Sequence, residues 1–241
     1  MKRCLVTCAV LALAACSPKP AEPAKTQIDA AAAAAPAVSG IDAGLTVPAS
    51  APAGTYKLDA EHTNVGFRIS HLGFSHYTAN FDKVAGTLQF DPANPAAMTV
   101  EATIDPKSLD LNAPPAGFRE AVTGKEFLES ALFPTIVFKS TKVTLTGPKT
   151  ADVTGDLTLH GVTKPVTLAV TFNGGWAANA FDGARIGFSA KGVIKRSAFG
   201  MGMGLPAPGT NFGVGDTIEV TIETEFGSGT KVAAAPPNRP A

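Results

Sequence analysis

The sequence predicts an all-β domain of about eight antiparallel strands. Between residues 55 and 226, apolar and polar residues alternate with a period of two, which is the pattern of strands with one buried face. Turn residues separate these runs at short intervals, and only residues 117–134 place apolar side chains near helical spacing. One helix cannot shield eight strands, so the apolar faces must cover one another in a sandwich or in a closed barrel.

The strands follow one another along the chain with the same alternation. In the first, Val65, Phe67, Ile69 and His71 share one face. The other seven predicted strands lie within residues 84–91, 98–105, 135–140, 155–161, 166–172, 184–196 and 216–226. Residues 117–134 predict one short helical segment, because Phe118, Val122 and Leu128 fall near helical spacing and Gly124 interrupts them. A barrel of about eight strands is wide enough to hold one small or chain-like ligand, or to be filled by its own side chains.

The first 15 residues have the pattern of a secretory signal peptide. Lys2 and Arg3 precede an apolar run that ends at Ala15, far short of the roughly 20 residues that span a bilayer. The sequence "LAAC" at 13–16 resembles the bacterial lipobox, which implies a mature chain that begins at a lipidated Cys16. An ordinary secretory signal is the alternative. Ser17 after the cysteine favours the outer membrane, so we expect a lipid-anchored protein on the periplasmic side of the cell envelope.

The chain outside the predicted barrel is rich in Ala and Pro. Residues 16–54 cannot bury enough apolar surface to fold, so they are predicted to be a lipidated, disordered tether. Residues 55–227 are the predicted barrel domain, and residues 228–241 are a disordered tail of similar composition. Cys4 and Cys8 leave with the signal peptide, so the domain has no disulfide.

Charge excludes one class of partner. The whole chain has 20 basic and 20 acidic residues, and removal of Lys2 and Arg3 leaves a mature chain with a slight acidic excess. Aromatic residues do not alternate with basic ones either. Both features argue against a nucleic-acid partner.

Four ordered sequence blocks resemble the YceI-like family of bacterial polyisoprenoid-binding proteins. They are "YKLDAEHTNVGFRISHLG", "KEFLESALFPTIVFKS", "GDLTLHGVTKPVTL" and "IKRSAFGMG" followed by "VGDTIEVTIETE". Two positions depart from the family pattern: Ala198 stands where an Asp is usual, and Val122 stands where many members carry His. Any polar role of those two side chains therefore cannot be transferred to this chain.

This resemblance implies a lipocalin-like, eight-stranded antiparallel barrel whose apolar pore holds an isoprenoid-type lipid, such as a quinone or a polyprenyl compound. No other cofactor and no metal is expected, and the sequence leaves open whether two barrels pair as a homodimer. Plain core packing explains each predicted lining residue equally well, and only the resemblance supports a cavity. The predicted ligand-binding residues are Phe67, Ile69, His71, Phe81, Phe90, Phe127, Phe138, Leu157, Leu159, Phe188, Ile194 and Val220.

The histidines of the first strand predict no metal site. His62 and His71 are nine residues apart, so on one continuous strand they face opposite sides. His71 and His76 could meet across a turn, but two imidazoles alone make a poor site. We therefore expect His62 to hydrogen-bond where the chain enters the barrel, His71 to point inward toward a ligand head group, and His160 to fix a turn.

The predicted function is non-enzymatic binding, sequestration or transport of the lipid. "GMGMG" at 200–204 runs into Pro206 and does not open a helix, and "GFSHY" lacks the second glycine of a nucleophile elbow. Two alternatives remain: an enzyme that acts on a bound lipid, with His71 as the first residue to test, and a ligand-free stress or interaction module.

Overall fold

A computed structural model of the chain describes residues 50–229. The predicted signal peptide, Cys16, most of the tether and the tail from residue 230 lie outside the described residues. Within residues 50–229, no helix has the length and apolar character needed to cross a bilayer.

The described chain forms ten strands and one α-helix. Short 3-10 turns lie at Pro95–Ala97, Pro106–Ser108 and Arg196–Phe199. In chain order the elements are β1 (Gly54–His71), β2 (Ser75–Phe81), β3 (Val84–Phe90), β4 (Thr99–Ile104), β5 (Leu109–Leu111), α1 (Phe118–Thr123), β6 (Ile136–Leu145), β7 (Thr150–Leu159), β8 (Val162–Trp176), β9 (Arg185–Lys195) and β10 (Val214–Gly227).

Eight of these strands close into an antiparallel barrel, so the predicted fold class is confirmed. The ring runs β1, β3, β4, β6, β7, β8, β9 and β10, and the pairing of β10 with β1 closes it. Every ring strand therefore pairs with a neighbour on each side, although β3 meets β1 only through residues 87–90. These are the eight strands that the alternation predicted.

Strands β2 and β5 are additions that the alternation did not predict. β1 pairs with β3 through Gly54–Lys57 at its start and with β2 through Val65–His71 at its end. β5 is only three residues long and pairs with β2. α1 also follows the prediction, because Gly124 caps it in an extended conformation at φ −81° and ψ −173°.

The barrel has two different ends, which we name by what lies there. The hairpin end holds the β1–β2 turn, the segment around α1, the β7–β8 turn and the connection between β9 and β10. The terminal end holds the start of β1, the end of β10 and the β3–β4, β6–β7 and β8–β9 turns. Ser50 donates its N–H to the carbonyl of Gly175 at the terminal end, and Ala51 beside it is buried.

Candidate ligand-binding cavity

A cavity of about 880 Å³ lies inside the barrel, and all eight ring strands contribute to its wall. The wall residues are mostly the inward members of the alternating runs, such as Val166, Leu168 and Val170 of β8. All twelve residues predicted to bind the ligand line this one cavity. Their contact with a ligand stays a prediction, because the lining alone does not require one.

Glycine at position 155 lets a large ring lie against the wall. A Cβ atom at Gly155 would be 2.5 Å from Cζ of Phe138 and 2.5 Å from the Lys139 carbonyl oxygen. Gly155 belongs to β7, and Phe138 belongs to the paired strand β6. The Phe138 ring therefore occupies the space that any larger residue at 155 would fill.

Aromatic rings cross the lumen at the terminal end. Phe90 of β3 and Phe172 of β8 stack with their ring centroids 6.1 Å apart. β3 and β8 are four strands apart in both directions around the ring, so this contact bridges opposite walls. Tyr56, Phe188 and Phe226 continue the chain of ring contacts at centroid distances of 5.9, 5.5 and 6.2 Å. We call these five residues the aromatic bar.

The cavity wall includes exposed residues at both ends of the barrel. At the hairpin end they belong to three segments: His71 of β1, Ser75 and His76 of β2, and Pro115 and Phe118 near α1. At the terminal end the wall also includes residues of the turns, among them Pro92, Pro148 and Lys149. The aromatic bar lies across the lumen at the terminal end. Among the described residues of the hairpin end, no pair of aromatic side chains joins opposite strands of the barrel.

Arg196 is a buried cation at the hairpin end of the cavity wall. Its side chain is 2% exposed and donates to the carbonyl oxygens of Met201, Met203, Val214 and Gly215, each at 2.8 Å. Burial lowers the pKa of the guanidinium from its usual value. This side chain ties the β9–β10 connection back onto the barrel. This role was not predicted, although an arginine directly after a strand and before "SAFG" was a usable signal.

His62 and His71 lie on opposite sides of the barrel wall, as predicted, but not for the assumed reason. β1 is not one continuous strand, because Asp59 pairs with Glu225 and Asn64 already pairs with Glu223. The bulge between them turns His62 outward, where its Nδ1 lies 2.9 Å from Oδ2 of Asp59. That carboxylate raises the pKa of His62. His71 lines the cavity.

An ion-pair network lies around this bulge on the outer wall. Arg185 Nη1 donates to Asp59 (2.5 Å) and to Glu225 (3.1 Å), and its Nε donates to Asp182. The hydrogen bond from Arg185 lowers the pKa of Asp59 to about 2, against the opposing effect of burial. The hydrogen bonds that Arg185 donates to Asp182 and to Asp59, in that order of effect, raise the pKa of Arg185.

Three side chains at the bulge have atoms that could bind a metal ion. Ligand atoms of Asp59, His62 and Glu225 lie within 4.8 Å of one another. The guanidinium of Arg185 already bonds both carboxylates, so a metal ion would meet its positive charge. The arrangement is therefore best described as an ion-pair network that joins β1, β9 and β10. The network was not predicted, because Arg185 and Glu225 are distant from Asp59 in the chain.

His160 lies in the β7–β8 turn with a left-handed φ of 52°. Its Nδ1–H donates to the Phe199 carbonyl at 3.0 Å, and its ring meets the edge of Phe133 at a centroid distance of 5.0 Å. The side chain thus joins this turn to the β9–β10 connection, which agrees with the turn-fixing role expected for it.

Comparison with known proteins adds a family match. The model of the YceI-like domain family matches residues 56–226. The UPF0312 protein of Pseudomonas fluorescens is 39% identical over 175 residues, which cover 72% of this chain and 86% of the relative. A UPF0312 protein of Pseudomonas savastanoi is 42% identical over 153 residues, which cover 63% of this chain and 78% of the relative.

Solved structures agree on the fold. Burkholderia cenocepacia BcnA superposes with a TM-score of 0.60 at 27% identity and covers 70% of this chain and 98% of its own. The Campylobacter jejuni YCEI protein gives a TM-score of 0.53 at 30% identity, with 70% of this chain and 94% of its own covered. A polyisoprenoid binding domain from Saccharophagus degradans gives 0.53 at 16% identity over 71% and 97% of the two chains, which supports the fold alone.

Proposed function

Because this chain belongs to the YceI-like family, we propose that its barrel binds, sequesters or carries an isoprenoid-type lipid, such as a quinone or a polyprenyl compound, without catalysis. The name of the Saccharophagus degradans neighbour points to the same ligand class. The observation that carries the proposal is the apolar cavity of about 880 Å³ inside the barrel.

The cavity suits a ligand with a long hydrocarbon chain. Ligand cavities usually measure about 300–1,000 Å³ and bury most of the ligand surface. Each buried methylene contributes about 0.8 kcal/mol, so a five-carbon isoprene unit gains roughly 4 kcal/mol before the cost of ordering the chain. Such a ligand needs no charged partner along its length, and the middle of the wall offers mainly aliphatic and aromatic side chains.

We extend the proposal to location. A lipobox cysteine at Cys16 would be acylated and would hold the domain on the periplasmic side of the cell envelope, most simply at the outer membrane. Intact-mass measurement of the purified protein tests this separately from ligand binding. The wild type is expected to begin at Cys16 and to carry the mass of acyl chains, whereas Cys16→Ser is expected to lack that mass; a wild type without acyl chains would contradict the anchor.

Filling the cavity tests the proposed function directly. Ala190 lies on the cavity wall in the middle of β9, and its neighbour Lys191 is exposed. We expect Ala190→Trp to reduce uptake of a prenylated quinone at least tenfold, because the indole occupies the lumen, whereas Lys191→Trp leaves uptake unchanged. Native mass spectrometry of the purified full-length protein counts the bound lipid, and thermal melting confirms that both variants fold.

The alternatives predict different results in the same experiment. A chain that carries no lipid after purification and takes up none would be a ligand-free module, and the proposal would fail. A lipid recovered with an altered mass would favour an enzyme if His71→Ala abolished that change in mass. We expect the recovered lipid to be chemically unchanged and His71→Ala to retain uptake.

A further inference from the structure

Three segments at the hairpin end contain no Asp, Glu, Lys or Arg. They are residues 69–81, residues 112–118 and residues 197–215. Each described turn at the terminal end, by contrast, contains a charged residue: Asp91, Lys149 or Asp182. Only part of this sequence is loop, since residues 69–71 and 75–81 belong to strands, and charges begin again at Arg119 and Glu120 directly after the second segment. The uncharged surface at the hairpin end therefore consists of the β1–β2 hairpin, the segment before α1 and the β9–β10 connection.

Large apolar side chains project from these uncharged segments. Phe74 is 85% exposed and Phe212 is 76% exposed, and Phe118 and Met203 are partly exposed. We call these four residues the apolar rim. Exposed aromatic side chains in such numbers mark a surface that contacts something apolar.

The three segments meet around one opening. The N–H of Leu72 donates to the Gly213 carbonyl at 2.8 Å, which places the β1–β2 turn beside the loop that contains Phe212. Phe118 meets the edge of Tyr77 in β2 at a ring-centroid distance of 6.0 Å. Phe118 of the apolar rim lines the cavity, and so do Ser75 and Val214, which are one and two residues from Phe74 and Phe212, so the apolar rim borders the hairpin-end mouth.

We propose that the hairpin end docks on the surface of a phospholipid bilayer, with Phe74 and Phe212 inserted at the interface and the cavity mouth facing the membrane. This inference rests on the proposed function, since it gives the route by which an isoprenoid-type lipid enters the barrel. Such a lipid resides in membranes, and a mouth held against the bilayer lets it move without crossing water.

Charge and position both support a bilayer as the occupant. Aromatic side chains are favoured at membrane interfaces, and carboxylates or ammonium groups there would have to lose hydration. Because the three segments hold no Lys or Arg, docking does not require anionic lipid. The aromatic bar crosses the lumen at the opposite end, so the hairpin end is the less obstructed route for a chain.

Vesicle flotation tests docking with the full chain bearing Cys16→Ser, which lacks the predicted acyl anchor. We expect this protein to float with phosphatidylcholine vesicles, and Phe74→Glu with Phe212→Glu to weaken binding roughly tenfold or more, since two inserted rings are lost. Phe181→Glu is the matched control, because Phe181 is 88% exposed at the terminal end. Equal losses in both variants would overturn the proposal.

Fluorescence tests the orientation. Trp176 is the single tryptophan of the chain and lies at the terminal end. With vesicles, its emission is expected to stay unchanged, whereas Phe74→Trp in a Trp176→Phe background is expected to shift to the blue. A shift at Trp176 and none at position 74 would contradict docking through the hairpin end.

Two further readouts separate docking from ligand binding and from self-association. Uptake of a prenylated quinone from detergent micelles bypasses the vesicle, so Phe74→Glu with Phe212→Glu is expected to retain it while losing uptake from vesicles. A wild-type protein that loads from micelles but never floats would overturn docking and leave the proposed function intact. The proposal would also be overturned if the wild type formed a dimer, did not bind vesicles, and became a monomer in Phe74→Glu with Phe212→Glu. That result would mean that the apolar rim pairs two copies of the chain.

Discussion

At the terminal end, five aromatic rings pack across the lumen and an ion-pair network joins β1, β9 and β10 on the outside, whereas at the hairpin end one buried arginine holds a long uncharged connection. The first end is stabilised by interactions between strands of the ring. The second packs a buried apolar cluster as well, and its β9–β10 connection is held by Arg196, which donates to four backbone carbonyls, and by His160, which donates to the Phe199 carbonyl. Local stability differs across folded proteins in this way, and segments that move to admit a ligand usually belong to the less stable parts.

The largest effect is expected from the arginine of the hairpin end. Arg196→Met leaves four carbonyl oxygens without their donor, and each such loss costs about 1–3 kcal/mol, so the free energy of unfolding should fall by at least about 4 kcal/mol. Chemical denaturation measures the loss. Amide hydrogen exchange should show the first loss of protection in residues 200–214.

The neighbouring Lys195→Met is the control for this change. Lys195 is exposed, so its replacement should alter the free energy of unfolding by less than about 1 kcal/mol. If the two variants unfold alike, Arg196 does not hold the hairpin end and the contrast between the ends loses its basis.

A smaller loss is expected from the aromatic bar. Phe90 is buried and contacts both Tyr56 and Phe172, so Phe90→Ala should cost about 3 kcal/mol and leave a gap between opposite walls. Phe74→Ala removes the same ring from the exposed tip of the hairpin end and should cost less than about 0.5 kcal/mol. Thermal or chemical denaturation of the two variants compares the ends directly. Similar losses of stability would contradict the view that packing across the lumen stabilises the terminal end.

Much of the barrel could be predicted from alternation, because a strand with one wet and one dry face fixes the direction of each side chain. Ten of the twelve predicted lining residues lie on predicted strands and reach the cavity wall in this way, whereas Phe81 in β2 and Phe127 after α1 line it without such a pattern. The bulge in β1 was not predicted, although the inward residues change from even-numbered Leu58 to odd-numbered Val65 and Phe67 across it, which is the mark that extra residues leave on period-two alternation.

The aromatic bar, the ion-pair network and the apolar rim were not predicted for another reason. Each joins residues that are distant in sequence, such as Phe90 with Phe172 or Leu72 with Gly213, and only the order of strands in the ring brings them together. Arg196 is different: its position after a strand was visible, but its four carbonyl partners depend on the course of a loop that has no periodic pattern.

The smallest expected effect belongs to the ion-pair network of the terminal end. Arg185 and Asp59 are partly exposed, so Arg185→Met should lower the free energy of unfolding by about 1 kcal/mol near neutral pH, and less at high salt. Its pH dependence is more informative. The pKa of Asp59 is lowered to about 2, against roughly 3.9 in an unfolded chain, so its contribution is present above about pH 4 and is lost as pH falls toward 2.

Without Arg185 the pKa of Asp59 should return toward its usual value, and the stability difference between the wild type and Arg185→Met should disappear between about pH 4 and pH 2.

His62→Gln is the matched control. The pKa of His62 is raised, so its contribution is present below about pH 6.5 and is lost as pH rises through the raised value. The difference between the wild type and His62→Gln should therefore shrink on the alkaline side. Unfolding measured from pH 2 to pH 9 separates the two windows, and an Arg185→Met difference that persists at pH 2 would mean that packing of the arginine stem, rather than its charge, holds β1 against β9 and β10.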